Sequence, residues 1–307
     1  MKHLLSIADL SRSDVEELFR LAADGKAQLK AGRVVTPLAG RSLALIFEKP
    51  SLRTRVTFEV GMAQLGGVAV YLAAQDIGFG RRESVGDVAR NLGRWVNGIV
   101  ARTFEQATVE RLARHAGVPV INGLSDHEHP CQALADFFTL WERGLPLGRL
   151  KVAWVGDGNN VCHSVVLTAA LVGTEMAVAC PPRYEPAPSV IETARALGGR
   201  VTVTADVSEA VAGTDAVYTD VWVSMGQEAE RERRLEAFGR YQLNERVLGL
   251  AKPGALVMHC LPAHRGEEIT DAALDGPQSV VFDQAENRLH VQKAILLTLL
   301  GGPGAPA

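Results

Sequence analysis

The chain has 307 residues, of which 47% are hydrophobic and 22% charged, and its formal net charge is −3. That length and composition suit about two packed domains. With no basic excess to neutralise a phosphate backbone and no run of about 18 uncharged apolar residues, neither a nucleic-acid partner nor a membrane span is expected.

The first ten residues carry one Lys and one His but no long apolar core, which is not the pattern of a secretory signal. Residues 11–31 read as a helix, with Ser13 and Glu16 forming a capping box and Leu18, Leu21 and Ala22 sharing one face. Ten short runs rich in Val, Ile, Leu and Ala follow. Four lie before residue 125 (41–47, 68–72, 98–101 and 118–121). Six lie after residue 150 (151–155, 176–179, 201–203, 216–218, 255–258 and 279–282). Continuous apolar runs suit parallel strands covered on both faces. Their alternation with helical patterns implies βαβ units.

The expected fold is therefore α/β, with two doubly wound parallel-sheet domains and an active-site cleft between them. A long helix over residues 130–143 ends at Gly144 and Pro146, which sets a boundary near 145. The first domain then spans 1–145 and the second 146–307. A last helix, about 289–300, is expected to pack back on the first domain, and the Gly/Pro tail 301–307 is expected to be disordered. The four cysteines (Cys131, Cys162, Cys180, Cys260) lack regular spacing and read as reduced thiols of a cytoplasmic protein.

Open parallel sheets bind ligands beyond the carboxyl ends of their strands, and the unusual polar residues collect there. After the first run come Glu48, Lys49, Pro50, Ser51, Leu52, Arg53, Thr54 and Arg55. Ser51 is placed to cap a helix, whose start offers free N–H groups and a positive dipole end. Arg53 and Arg55 sit at the electrostatically wrong end of that helix unless an anion is bound. Beside the Ser51 and Thr54 hydroxyls, phosphate is favoured over two solvated arginines. Arg102 ends the third run. His129, Pro130, Cys131 and Gln132 follow the fourth. A histidine entering a helix start has its charged form disfavoured and suits a neutral donor to a carbonyl oxygen. A purely structural His reads equally well from that segment alone.

In the second half, Gly156-Asp157-Gly158-Asn159-Asn160 opens like a dinucleotide fingerprint. However, Val161 stands where the third glycine belongs, and Cys180-Pro181-Pro182 stand where an acidic residue is expected. The glycines then serve a tight turn that leaves Asn160 to face the cleft. Asp220, Ser224-Met225-Gly226 and His259-Cys260-Leu261-Pro262 complete the strand-end set. Cys260 reads as a nucleophile, a base, a binding group or a buried apolar thiol. A metal held by His129, Cys131, His259 and Cys260 lacks the paired spacing of structural zinc sites, and neither metal nor cofactor is expected.

Taken in order, these segments resemble the ornithine carbamoyltransferase family over nearly the whole chain. Ser51-Leu52-Arg53-Thr54-Arg55 is similar to its carbamoyl-phosphate motif and His129-Pro130-Cys131-Gln132 to its His-Pro-x-Gln. Both motifs are shared with aspartate carbamoyltransferases. Asp220 with Ser224-Met225-Gly226, and His259-Cys260-Leu261-Pro262, resemble segments more specific to the ornithine branch. The resemblance implies transfer of a carbamoyl group from carbamoyl phosphate to the side-chain amine of L-ornithine, in a homotrimer or an assembly of trimers. It also implies residue roles. Ser51, the Leu52 backbone, Arg53 and Thr54 hold the phosphate, with Arg102, Arg288, Cys260 and Leu261 adding to the carbamoyl-phosphate site. His129 polarises the carbonyl and Gln132 binds the carbamoyl amino group. Asn160, Asp220, Ser224 and Met225 hold ornithine, while Cys260 with Asp220 orients the attacking amine.

One position departs from the pattern. Where the family commonly carries a Gln or His that reaches a neighbouring subunit's carbamoyl phosphate, this chain has Gly78, which cannot make that contact; either weaker substrate affinity or substitution by Arg81 or Arg82 is expected. The charged segment 223–240 is expected to act as a lid. The competing readings are a carbamoyltransferase for aspartate, acylated ornithine or putrescine, a nicotinamide-dependent dehydrogenase, and a non-catalytic paralogue that binds or regulates.

Overall fold

The computed structural model describes residues 1–78 and 82–301, with Asp76 described in its backbone alone. The chain groups into two compact units. One comprises Met1–Ala135 with Asn287 onward, the other Asp136–Glu286. Both unit boundaries fall inside helices, Pro130–Glu142 and Val281–Leu300.

The first unit holds a four-stranded parallel sheet of β1 (Ser42–Phe47), β2 (Val68–Ala73), β3 (Gly98–Arg102) and β4 (Val120–Leu124), in the order β2-β1-β3-β4. β1, β3 and β4 are almost wholly buried, in keeping with their mainly apolar sequences, with Arg102 at the end of β3 and Asn122 within β4 buried as well. β2 lies at the sheet edge and leaves Val68 and Val70 exposed. The β3–β4 register shifts between Ala101 and Arg102, an irregularity of the kind that re-aims a strand-end side chain.

The second unit holds a five-stranded parallel sheet of β5 (Lys151–Val155), β6 (Glu175–Ala179), β7 (Val201–Thr204), β8 (Ala216–Thr219) and β9 (Leu256–His259), in the order β7-β6-β5-β8-β9. Both sheets reverse direction of growth at their first strand, β1 or β5, which marks the topological switch point where such folds bind ligands.

Three expectations are corrected. The run at 279–282 is not a strand: Ser279 makes one parallel bridge to Val257, and a helix begins at Val281. The final helix therefore starts well before residue 289, because Asp283, Gln284, Ala285 and Glu286 continue a helical pattern that the apolar run concealed. The first helix, Arg12–Lys30, is capped by Ser11 with Asp14, not by Ser13 with Glu16. Glu16 instead pairs with Arg12 at 2.8 Å. The tail expected to be disordered lies, from residue 302 on, outside the described residues, as does Arg81.

Candidate active site

In the first unit Ser51 caps the Leu52–Gln64 helix, its hydroxyl accepting from the Thr54 N–H at 3.2 Å. Leu52, the first helical residue, has an exposed side chain, so it has only its backbone to offer a ligand held at the helix start. The two arginines of this turn differ. Arg55 pairs with Glu59 at 2.9 Å and lies over the Tyr71 ring at 3.7 Å, which makes it a surface ion pair. Arg53 belongs to the electrostatic surroundings of His129.

His129 is buried immediately before the Pro130–Glu142 helix. Burial holds its pKa well below the usual value, and Arg288, Arg102 and Arg53, in that order, push it further down. Three arginines around a buried neutral imidazole make a strongly positive pocket. Arg288 organises this pocket. Its guanidinium is buried and donates to the Gln132 side-chain oxygen and, at 3.0 Å, to the Thr54 hydroxyl. Because arginine only donates, the Gln132 oxygen must face it. Arg102 is buried at the end of β3. Behind His129, Glu128 accepts from the Ile7 N–H at 3.0 Å and from the Ser6 hydroxyl, tying the loop to the N-terminal segment. Next to His129, Cys131 is fully buried and its thiol is pushed up to about 12, so it takes no part as a thiolate.

In the second unit the β5 turn is shaped by close approach. A Cβ on Gly158 would stand 2.2 Å from the Pro186 nitrogen, so only glycine fits there. This packing need accounts for the Gly-x-Gly spacing without a dinucleotide. Asn159 caps the Asn160–Val172 helix through its side-chain oxygen, which accepts from Val161 and Cys162 at 3.0 Å each. Its amide nitrogen donates to Asp220 at 2.8 Å. Asp220 is buried just after β8, and its other oxygen accepts from the Cys260 thiol at 3.0 Å. Asn160 follows as the first helical residue.

Behind Cys260, the Nδ1 of His259 accepts from the Leu261 N–H at 2.8 Å, which leaves Nε2 to carry the proton toward Glu268 at 3.2 Å. Asp220, His259 and Cys260 lie close enough to share a metal ion. Both ring nitrogens of His259 are already committed to these bonds, however, so the donor set does not fit one. Leu261 adopts a left-handed backbone, φ 58°, which is costly for a leucine and turns the chain sharply after Cys260. A buried relay sets β9 from behind: Gln284 accepts from the His259 N–H at 3.0 Å and donates to Asp136 at 2.9 Å, and Asp136 accepts from the Tyr218 hydroxyl at 2.8 Å.

Ser224 and Met225 lie in a turn closed by Gly226, φ 95°, with the Ser224 N–H donating to Gln227 at 3.0 Å. The segment continues into the Arg231–Phe238 helix. From that helix the buried Arg234 reaches back to Asp157 at 3.0 Å and to the Trp222 carbonyl at 3.0 Å. Burial raises the Asp157 pKa to about 6, Arg234 pulls it down, and the nearby Asp220 and Glu230 push it up.

Sequence reasoning placed Asp157 and Asn159 at a strand end without giving them a role, and missed Arg234, Asp136 and Tyr218. The signal for Asn159 was the unbroken Asn-Asn pair at a helix start. Arg234 sits in an Arg-rich stretch that gave no sign of burial. The departure at residue 78 has a backbone reason: Gly78 adopts φ 60°, and a Cβ there would approach Arg82 Cβ to 3.2 Å.

Residues 2–142 match the model of the aspartate/ornithine carbamoyltransferase carbamoyl-P binding domain, and residues 149–299 that of the Asp/Orn binding domain. An ornithine carbamoyltransferase of Methanosarcina acetivorans is 54% identical over 299 residues, covering 97% of this chain and 99% of its own length. One of Geobacillus stearothermophilus is 52% identical over 303 residues, covering 97% of both chains. The solved ornithine carbamoyltransferase of Pyrococcus furiosus superposes with a TM-score of 0.95 at 49% identity, covering 98% of each chain.

Proposed function

This chain belongs to the aspartate/ornithine carbamoyltransferase family, and from that premise we propose that it transfers the carbamoyl group of carbamoyl phosphate to the side-chain amine of L-ornithine, giving L-citrulline and phosphate. The observation that carries the reading is the buried, neutral His129 faced by Arg53, Arg102 and Arg288. Such a pocket suits a dianion whose carbonyl oxygen must gain negative charge during reaction.

Carbamoyl phosphate is held with its phosphate on the Ser51 hydroxyl, the Leu52 N–H, Arg53 and Thr54 at the helix start. Arg102 and Arg288 add charge, and the Gln132 oxygen uses its second lone pair for the carbamoyl amino group. The cationic donors stand ready where the tetrahedral oxyanion develops, the arrangement that contributes most in acyl transfer. Because His129 is neutral, it donates to that oxygen without consuming a proton.

Ornithine is held by Asn160, Asp220, Ser224 and Met225. Asp220, fixed by Asn159 and Cys260, receives positive charge from the substrate, and Cys260 orients the attacking amine. The amine nitrogen bonds to the carbonyl carbon, the carbon–oxygen bond to phosphate breaks with its electron pair going to the phosphate, and the proton shed by the amine ends on that departing phosphate. Cys260 and the Leu261 backbone complete the carbamoyl-phosphate site. Residues 223–240 close over bound substrate. Hydrogen exchange there slows on adding carbamoyl phosphate with an ornithine analogue; unchanged exchange rules the closure out.

The proposal extends to a homotrimer or an assembly of trimers working in the cytoplasm on arginine metabolism. Among the described residues no helix is long and apolar enough to cross a membrane. The domain division proposed is a carbamoyl-phosphate part, 1–145, and an ornithine part, 146–307, whose last helix packs back on the first part; the two family-model matches and the grouping of Asn287 onward with the first unit support it. Phosphate release from carbamoyl phosphate is expected to depend on added ornithine. Release at the same rate without ornithine contradicts the reading.

A further inference from the structure

We propose that the cavity floored by Lys293 in the first unit binds a short aliphatic carboxylate. The cavity measures about 130 Å³ and is formed by the Arg12–Lys30 helix, the segment after it, the end of the Leu52–Gln64 helix and the Val281–Leu300 helix. Leu21, Leu29, Val35, Leu65 and Leu297 give it apolar walls. Its charged lining consists of Lys293 and Arg33, and no carboxylate is among the described residues around it.

Three observations converge. Lys293 is only 8% exposed, and its ammonium donates to the neutral Gln64 oxygen at 3.0 Å, with no carboxylate partner among the described residues. A half-buried ammonium facing a neutral amide is only partly compensated, and burial lowers its pKa. An anion in the cavity supplies the missing partner. Secondly, Gly25 lies in the interior of a 19-residue helix, where glycine is costly relative to alanine. A Cβ there would meet nothing within 4 Å, so packing does not require the glycine; its missing side chain keeps the cavity wall open. Thirdly, a Cβ on Gly61 would come within 3.3 Å of Lys293 Cγ, so a glycine also makes room for the lysine stem.

Size and polarity define the ligand. An apolar cavity of about 150 Å³ takes a benzene-sized molecule, so this one takes about five carbons with the carboxylate on Lys293. Larger anions and polar phosphates fit the walls poorly.

The test is thermal unfolding and calorimetric titration of the full chain with pentanoate, pentanol and pentylammonium. Saturating phosphate is present throughout to occupy the anion pocket near His129. A saturable rise in unfolding midpoint is expected with pentanoate, about tenfold tighter than with pentanol, and none with pentylammonium. The rise is lost in Lys293→Met and in Gly25→Leu, while citrulline formation by both variants stays at the wild-type rate and so reports that they fold. Lys293→Gln serves if the methionine variant does not. Equal binding of pentanoate and pentanol, a rise that survives both substitutions, or no saturable effect of pentanoate each overturns the proposal.

Discussion

The guanidinium of Arg234 donates to the Asp157 carboxylate at 3.0 Å and, through the same nitrogen, to the Trp222 carbonyl. One side chain thereby ties the turn carrying Asn159 and Asn160 to the segment carrying Ser224 and Met225. Removing it frees both segments that are proposed to hold ornithine. Arg234→Gln is expected to raise the KM for ornithine about tenfold or more and leave the KM for carbamoyl phosphate within about twofold, since charge-assisted hydrogen bonds contribute roughly 1.5–3 kcal/mol. Steady-state kinetics with each substrate varied in turn decide this; equal effects on both KM values refute it.

The same pair is pH-sensitive. The Asp157 pKa is raised by burial to about 6, above its unfolded value. By sign, folding takes up a proton here. The stability it contributes is complete below the unfolded pKa and lost as pH rises through about 6. The ion pair itself behaves oppositely, forming above about 6 and dissolving below. The KM for ornithine is therefore expected to rise below pH 6 in the wild type. In Asp157→Asn that break disappears and KM is elevated at all pH values. A break retained in the variant assigns the titration elsewhere.

His129 is held neutral by burial and by three arginines, so its folded pKa lies well below that of the unfolded chain. Unfolding takes up a proton, and stability is lost as pH falls through about 6.5. Nitrogen NMR of labelled His129 is expected to show a neutral ring from pH 8 down to 5.5. An imidazolium signal in that range contradicts the role of a neutral donor.

Arg53→Ala removes a donor to the developing negative charge and is expected to lower kcat by roughly 10²–10³. Arg55→Ala, which loses only a surface pair with Glu59, is expected to change it less than about twofold. Similar losses in both would mean that the phosphate is held by the whole turn and not by Arg53.

Cys260→Ser shortens the reach of the donor to Asp220. It is expected to weaken ornithine use about tenfold and carbamoyl-phosphate binding by clearly less. Parallel losses in both would make Cys260 a structural residue.

Much of the fold could be read from the sequence because most of its strands are short, mainly apolar runs, which suit parallel sheets covered on both faces. Residues 279–282 failed that test because Val280 and Val281 are apolar for a different reason, being buried at the start of a helix. The residues proposed to touch substrate stood out as polar groups at strand ends. The residues that hold them did not. Asn159, Asp136 and Arg234 find their partners, Asp220, Tyr218 and Asp157, 61, 82 and 77 positions away in the chain. Local pattern carries no trace of such pairings. Arg53 and Arg55 look equivalent in sequence and separate only once Glu59 and Tyr71 are in place around Arg55.

The most direct measurement is citrulline and phosphate formation from carbamoyl phosphate with ornithine, aspartate, acetylornithine and putrescine offered separately. Stoichiometric citrulline and phosphate with ornithine, and negligible product with the other three, is the predicted result. Turnover with another acceptor in preference to ornithine, or with none, contradicts the assignment of Asn160, Asp220, Ser224 and Met225 to ornithine.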